Sequence, residues 1–138
     1  MLKSLTYVSR SMLSSSRREA ELDAIVAVAR VRNAALGVTG ALMASSYTFA
    51  QILEGPSDAI DALMESILQD TRHREVKIVS AESDAPRKFP AWAMAFAGHA
   101  HYIDRHIEIL LDPMFHEARH SHVAQLQILM KEFSNRLT

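Results

Sequence analysis

The chain has 138 residues, a formal net charge of -1 at pH 7 and no cysteine. That length suits one domain, because domains cluster at roughly 100–150 residues. The near-zero charge argues against a general nucleic-acid binder, and the lack of cysteine excludes disulfides, cysteine nucleophiles and thiolate metal sites. No apolar run reaches the roughly 18 residues of a membrane-spanning helix, and the first residues lack a signal-peptide core. We therefore expect a cytoplasmic protein.

The N-terminal part predicts a strand followed by a helix. Residues 2–9 read as a plausible strand, with Leu2, Ser4, Thr6 and Val8 on one side and Lys3, Leu5, Tyr7 and Ser9 on the other. Ser16 with Glu19 three residues later resembles a capping box, so a helix is expected to begin there and run to about Ala35. Gly37 follows and can terminate the helix.

The middle of the chain predicts a hairpin, a second helix and two further strands. Residues 38–45 and 47–54 are strand-like, and their link is short enough only for a hairpin. The apolar face of the helix would be Ile60, Leu63, Met64, Ile67 and Leu68. Residues 76–79 and 92–97 predict a fourth and a fifth strand. The class is therefore α+β: a ferredoxin-like β-α-β-β-α-β sheet with an extra strand and both helices on one face.

Two amphipathic helices are predicted after the sheet, at 103–111 and at 115 to about 136. Their apolar residues need cover, either on the open sheet face or on a partner subunit. We expect residues 1–97 to form the domain. Residues 98–138 would be a helical extension for packing and signal output, and not a separate domain.

Two polar side chains occupy positions that a core pattern would fill with apolar ones. Gln51 falls between Phe49 and Leu53 at the two-residue period of a strand. A buried amide is costly unless it is hydrogen-bonded, and Tyr7 lies on a strand that neighbours that of Gln51 in a ferredoxin-like sheet. The pattern alone favours a structural Tyr–Gln pair or a solvated glutamine over a functional pair.

Other polar and aromatic residues also have structural explanations on pattern alone. Asn33 would be a polar turn at a helix end, and Arg72 and His73 would complement the dipole at the end of the second helix. Trp92 and Met94, two apart in the fifth strand, would be core residues. Both types are also common beside aromatic ligands.

A histidine motif raises the question of a metal site. The run from His116 to His120 matches the letters H-E-x-x-H of zinc peptidases. A catalytic zinc needs a third protein ligand, and this helix is an appendage and not part of a cleft, so we expect no metal. We also expect no catalytic residues, since no phosphate loop or nucleophile elbow is present.

Five sequence blocks, in order, resemble the BLUF family of flavin-using blue-light sensors. The blocks are Leu5-Thr-Tyr7-Val-Ser9, Ala29 to Asn33 with Gly37 to Gly40, Phe49 to Gly55, Asp70 to His73, and Arg87 to Met94. The resemblance covers roughly residues 2–97. It implies a blue-light photoreceptor that holds a flavin without a covalent bond, most simply FAD, with FMN as the alternative.

The resemblance also implies site residues. The cofactor-binding set would be Ile25, Arg32, Asn33, Gln51, Ile67, Arg72 and His73. The photochemical set would be Tyr7, Gln51, Trp92 and Met94. Asn33 would bond the pyrimidine edge of the flavin, and Ile25 and Ile67 would sandwich the ring. Gln51 would stand between Tyr7 and the flavin, with Trp92 or Met94 beside it.

The mechanism that the resemblance implies starts with electron and proton transfer from Tyr7 through Gln51. The rearranged hydrogen bonds would then signal through the last strand and the C-terminal helices to an unidentified protein partner. A homodimer is expected, without direct nucleic-acid or membrane binding and without enzymatic activity. Two alternatives share the fold: a light-blind interaction module, and an acylphosphatase-like enzyme, for which Arg32 and Asn33 are a faint indication.

Overall fold

The computed structural model describes residues 2–14, 16–45, 47–84, 86–89, 95–99, 103–112 and 119–136. Its elements, in chain order, are β1 (Leu2–Ser11), α1 (Arg18–Leu36), β2 (Thr39–Ala44), β3 (Thr48–Pro56), α2 (Ser57–Gln69), β4 (His73–Ser83), β5 (Ala95–His99), α3 (Ile103–Leu111) and α4 (Arg119–Arg136). None of the helices in these ranges is long and apolar enough to cross a bilayer.

The strands form one mixed sheet in the order β4-β1-β3-β2-β5. The pairs β4–β1, β1–β3 and β3–β2 are antiparallel, and β2 and β5 pair in parallel. The order β4-β1-β3-β2 is that of a ferredoxin-like sheet, with β5 added next to β2. The α+β prediction, including the mixed sheet with an extra strand and two C-terminal helices, is confirmed.

Gly37 and Gly40 shape the region where α1 ends and β2 begins, and the start of α1 differs from the prediction. Gly37 adopts a left-handed backbone with φ 70° and ends α1, as predicted. Gly40 allows β2 to approach β3 closely, because a Cβ there would lie 2.0 Å from the carbonyl oxygen of Ile52. The predicted capping box is wrong. The helix begins later, with Arg17 as its N-cap and no side-chain capping bond, and the hydroxyl of Ser16 lies 3.3 Å from that of Ser14.

Each face of the sheet carries its own apolar cluster. The first, under α1 and α2, includes Leu5, Leu22, Val26, Phe49, Leu53 and Ile60. The second, which we call the α3/α4 cluster, consists of Val8, Ala41, Met43, Ala50, Ile52, Phe89, Ile107, Leu110, Val123, Leu126 and Met130. The C-terminal helices therefore cover the second sheet face of their own chain, which is one of the two alternatives left open. The homodimer stays a prediction.

Two carboxylates one turn apart attach α3 to the end of the sheet. Asp104 accepts hydrogen bonds from the hydroxyls of Thr48, at 2.7 Å, and Ser45, both at the β2–β3 hairpin. Glu108 forms an ion pair with Arg10 of β1 at 2.7 Å. These contacts hold α3 at one end of the sheet, through the β2–β3 hairpin and through β1.

A histidine pair joins α3 to α4 and makes their contact sensitive to acid. The Nδ1 atoms of His106 and His122 are 2.9 Å apart, so one ring must donate a proton that the other accepts. Burial, and then the nearby His122 and Arg105, lower the pKa of His106. Because the unfolded chain takes up this proton near pH 6.5 while the fold resists it, we expect stability to fall as the pH drops below about 6.5.

Thermal unfolding at pH 7.5 and pH 5.5 tests this expectation. The loss of melting temperature on acidification should be smaller in His106→Gln than in the parent chain. The chain has seven histidines, so several groups can contribute to its overall pH profile. The test therefore compares the loss of melting temperature between the two chains. An equal loss in both chains would contradict the assignment of acid sensitivity to this pair.

Candidate functional site

A cavity of about 380 Å³ opens between α1 and α2 above the first sheet face. Its floor is made by side chains of β1, β2 and β3, and its walls by the two helices and the turn after α2. Ile25 of α1 and Ile67 of α2 supply apolar wall from opposite helices, with Leu42 and Phe49 below them. The volume lies within the roughly 300–1,000 Å³ range of small-molecule and cofactor sites.

Tyr7 and Gln51 meet in the floor of the cavity. The two residues are directly opposed in the register of β1 and β3, and the phenol hydroxyl donates a hydrogen bond to Oε1 of Gln51. Both side chains are buried, with 4% and 5% exposure. The expectation that these two strands are neighbours and that their polar side chains could meet is confirmed.

The phenol of Tyr7 is held in its protonated form. Burial is the main reason that its pKa lies above the ordinary value, and the carboxylate of Asp70 raises it further. The guanidinium of Arg32 acts in the opposite direction and lowers it. Tyr7 is therefore a neutral O–H donor to Gln51 throughout the physiological pH range.

His73 is locked beside this pair at the start of β4. Its Nε2–H donates to the carbonyl oxygen of Ile67 at 2.7 Å, which leaves Nδ1 to accept from the hydroxyl of Ser9 at 2.9 Å in the neutral ring. The ring meets those of Tyr7 and Phe49 edge-on, with centroids 6.0 and 6.2 Å away. Ser9 belongs to the first sequence block, but sequence reasoning assigned it no contact with His73.

Arg72 is engaged by Asp70 at the rim of the cavity. Its Nε donates to both carboxylate oxygens at 2.9 and 3.0 Å, and its Nη2 donates to one of them at 2.5 Å. These bonds lower the pKa of Asp70 and raise that of Arg72, so both remain charged. Sequence reasoning named Asp70 within a motif but missed it as a cavity residue. The signal was a carboxylate at a helix C-terminus, where the dipole disfavours negative charge.

The remaining sequence-derived site residues fall in three places. Arg32 lines the cavity, whereas the side chain of Asn33 is fully buried next to it and receives a long 3.4 Å contact from Nε of Arg32. The structure thus brings every described member of the cofactor set to the cavity lining except Asn33. Trp92 and Met94 lie outside the described residues.

The residues present fit a flavin. Its ring is a flat apolar body with hydrogen-bonding atoms along one edge, and this cavity combines apolar walls on two helices with a buried amide and two guanidinium groups. A side-chain amide has two donors and one acceptor oxygen, so Gln51 can accept from Tyr7 and donate to a ligand at once. Within the described ranges no group of three or more metal-ligating side chains occurs, and the stretch from His116 to Ala118 lies outside them.

Comparisons with known proteins identify the family. The family model for BLUF domains, described as sensors of blue-light using FAD, matches residues 2–95. The photoactivated adenylate cyclase subunit beta of Euglena longa is 40% identical over 97 residues, which are 70% of this chain but 11% of that protein. The blue light- and temperature-regulated antirepressor BluF of Escherichia coli (strain K12) is 30% identical over 89 residues, 64% of this chain and 22% of that one.

Solved structures show the same relationship over a longer stretch. The dark state of the BLUF protein BlrB matches with a TM-score of 0.76 and 32% identity, over 95% of this chain and 96% of that one. The chain belongs to the BLUF family of blue-light sensors, and its cofactor is a flavin, FAD in the description of the family. It spans about a tenth of the photoactivated adenylate cyclase subunit that it matches.

Proposed function

We propose that this chain is a blue-light photoreceptor in which Tyr7 and Gln51 carry the photochemistry. The observation that supports this most strongly is their buried hydrogen bond in the floor of the cavity. Tyr7 and Gln51 are polar side chains on an otherwise apolar core face, and both line the cavity. Their hydrogen bond makes chemical sense where a bound ring offers the amide a second partner.

The proposed cycle begins when blue light excites the bound flavin. Tyr7 gives up one electron to the flavin, and the phenol proton moves by way of Gln51. Both return when the pair recombines, so nothing is consumed. Gln51 ends rotated or as a tautomer, with a stronger hydrogen bond to the flavin carbonyl. That bond lowers the excitation energy and shifts the absorption to the red, because hydrogen bonds in a low-dielectric site polarise their partners strongly.

Hydrogen bonds between Glu54 and residues 87–89, on the opposite sheet face, support a way for a change at Gln51 to reach the loop after β4. Oε1 of Glu54, three residues after Gln51 on β3, accepts the backbone N–H groups of Lys88 and Phe89, both at 2.8 Å. Arg87 donates to the carbonyl oxygen of Glu54 at 2.9 Å. A change at Gln51 would thus act on the loop that precedes Trp92 and Met94, for which we propose a role beside Gln51.

Beyond the sheet, we propose that the C-terminal helices deliver the signal. Residues 1–97 would form the sensor and 98–138 its output, since α3 and α4 pack on the sheet through the α3/α4 cluster. The recipient would be a separate protein partner, with the chain acting as a cytoplasmic homodimer that has no catalysis of its own. The enzymatic activity named for the Euglena relative belongs to a far longer protein.

Flavin binding is the first experiment for this proposal. Apoprotein titrated with riboflavin, FMN and FAD should quench flavin fluorescence and saturate at one equivalent in each case. Comparable affinity for all three would indicate that the cavity holds mainly the ring, as its lining suggests. A chain that takes up none of them would favour a light-blind interaction module or an acylphosphatase-like enzyme on the same fold.

A further inference from the structure

We propose that Asp70, held in place by Arg72, is a positioning residue that sets how readily Tyr7 is oxidised. The negative charge of its carboxylate would stabilise the positive charge that the phenol acquires when it loses an electron. This inference rests on the proposed function, in which Tyr7 is the electron donor.

The geometry places the charge where it can act on Tyr7. Asp70 follows the last turn of α2, Tyr7 lies in the middle of β1, and both line the same cavity. Tyr7 is only 4% exposed, so little water screens its surroundings. Burial is the largest cause of the raised pKa of Tyr7, and the charge of Asp70 is the second. A charge that disfavours the phenolate also favours the oxidised phenol.

The charge on Asp70 is permanent and only partly cancelled. The contacts from Arg72 lower the pKa of Asp70, so the carboxylate stays ionised at any ordinary pH. The two side chains differ in exposure, at 49% for Arg72 and 29% for Asp70. Water therefore screens the guanidinium more than the carboxylate, and Asp70 and Arg32 are the charges that shift the pKa of Tyr7.

A purely structural role for Asp70 has its own support. The backbone N–H of Arg72 donates to Oδ1 of Asp70 at 2.9 Å, which closes the turn between α2 and β4. A neutral asparagine could also make this turn, and it would avoid a carboxylate at the negative end of the helix dipole. The turn therefore does not require the negative charge, whose structural partner is the guanidinium of Arg72.

Arg32 provides a charge of opposite sign on the other wall. It projects from α1 into the cavity and lowers the pKa of Tyr7, against the effect of Asp70. In the electron step one electron leaves the phenol for the excited flavin, and the O–H proton follows towards Gln51. A positive neighbour should therefore slow this step, whereas a negative neighbour should speed it.

The test measures the excited-state lifetime of the bound flavin, which electron transfer from Tyr7 shortens. Asp70→Asn should lengthen the lifetime by roughly threefold or more, a size expected for a unit charge acting through protein. Arg32→Gln should shorten it, because the opposing positive charge is removed. Combined with Tyr7→Phe, Asp70→Asn should have no further effect.

Two results would overturn the inference. One is a change of the same direction in Asp70→Asn and Arg32→Gln, as general loosening of the pocket would give. The other is a change in flavin lifetime on Asp70→Asn that persists in the Tyr7→Phe chain. This second result is informative even if Arg32→Gln binds flavin poorly. Failure of the proposed function looks different: Tyr7→Phe alone would then leave both the lifetime and the light-induced spectral change intact.

Discussion

Gln51→Leu should bind flavin and show no light-induced red shift. Leucine keeps the approximate volume of the side chain but can neither pass the phenol proton nor bond the flavin carbonyl. The variant also leaves the buried hydroxyl of Tyr7 without its acceptor, at a cost of about 1–3 kcal/mol in stability. Absorption spectra before and after blue light, together with a melting curve, measure both effects.

Gln127→Leu is the matched control. Gln127 is a partly buried glutamine on α4 that donates to the hydroxyl of Thr6, on the sheet face away from the cavity. This variant should keep the full red shift. A normal photocycle in Gln51→Leu, or loss of the shift in both variants, would refute the assignment of the photochemistry to Gln51.

Leu126→Ala should lower the free energy of unfolding by about 2–5 kcal/mol, the range for a large apolar side chain lost from a core. Leu126 is fully buried in the α3/α4 cluster, so truncation leaves a cavity against the sheet. Ile128, two residues along the same helix, is 58% exposed. Ile128→Ala should cost less than about 0.5 kcal/mol, since surface changes away from special features are small.

Denaturant unfolding of both variants at two protein concentrations measures the difference. Equal losses of stability in Leu126→Ala and Ile128→Ala would contradict the packing of α4 on its own sheet. So would a loss in Leu126→Ala that disappears at high concentration. That result would mean that the side chain is buried against a second copy and not within the chain.

The order of the elements could be predicted from sequence because the apolar periods are clear. The strand expected at residues 2–9 and the helical spacing through Leu22 and Val26 both matched the structure, although residues 4–9 are buried on both faces of the sheet. The start of α1 could not be predicted well, since several serines precede it and any of them could serve as a cap. Which face the C-terminal helices cover was also open, because amphipathic spacing identifies an apolar face but not its partner.

The candidate site was partly predictable for a similar reason. Tyr7 and Gln51 were exceptions to an otherwise apolar pattern, and adjacency of their strands followed from the fold, so their meeting could be foreseen. Asn33 continues the buried stripe of Leu22, Val26 and Ala29 on α1, and of these four residues Ala29 is the one that lines the cavity. Asp70 was missed because its influence on Tyr7 depends on how close the end of α2 comes to β1, a distance that no local pattern encodes.

The most direct test of the central claim is the absorption spectrum of the flavin-loaded chain in the dark and just after blue light. We expect a flavin spectrum that shifts slightly to the red and returns in darkness, with the flavin still released intact by denaturation because no covalent bond forms. A bound flavin whose spectrum does not move under blue light would contradict it.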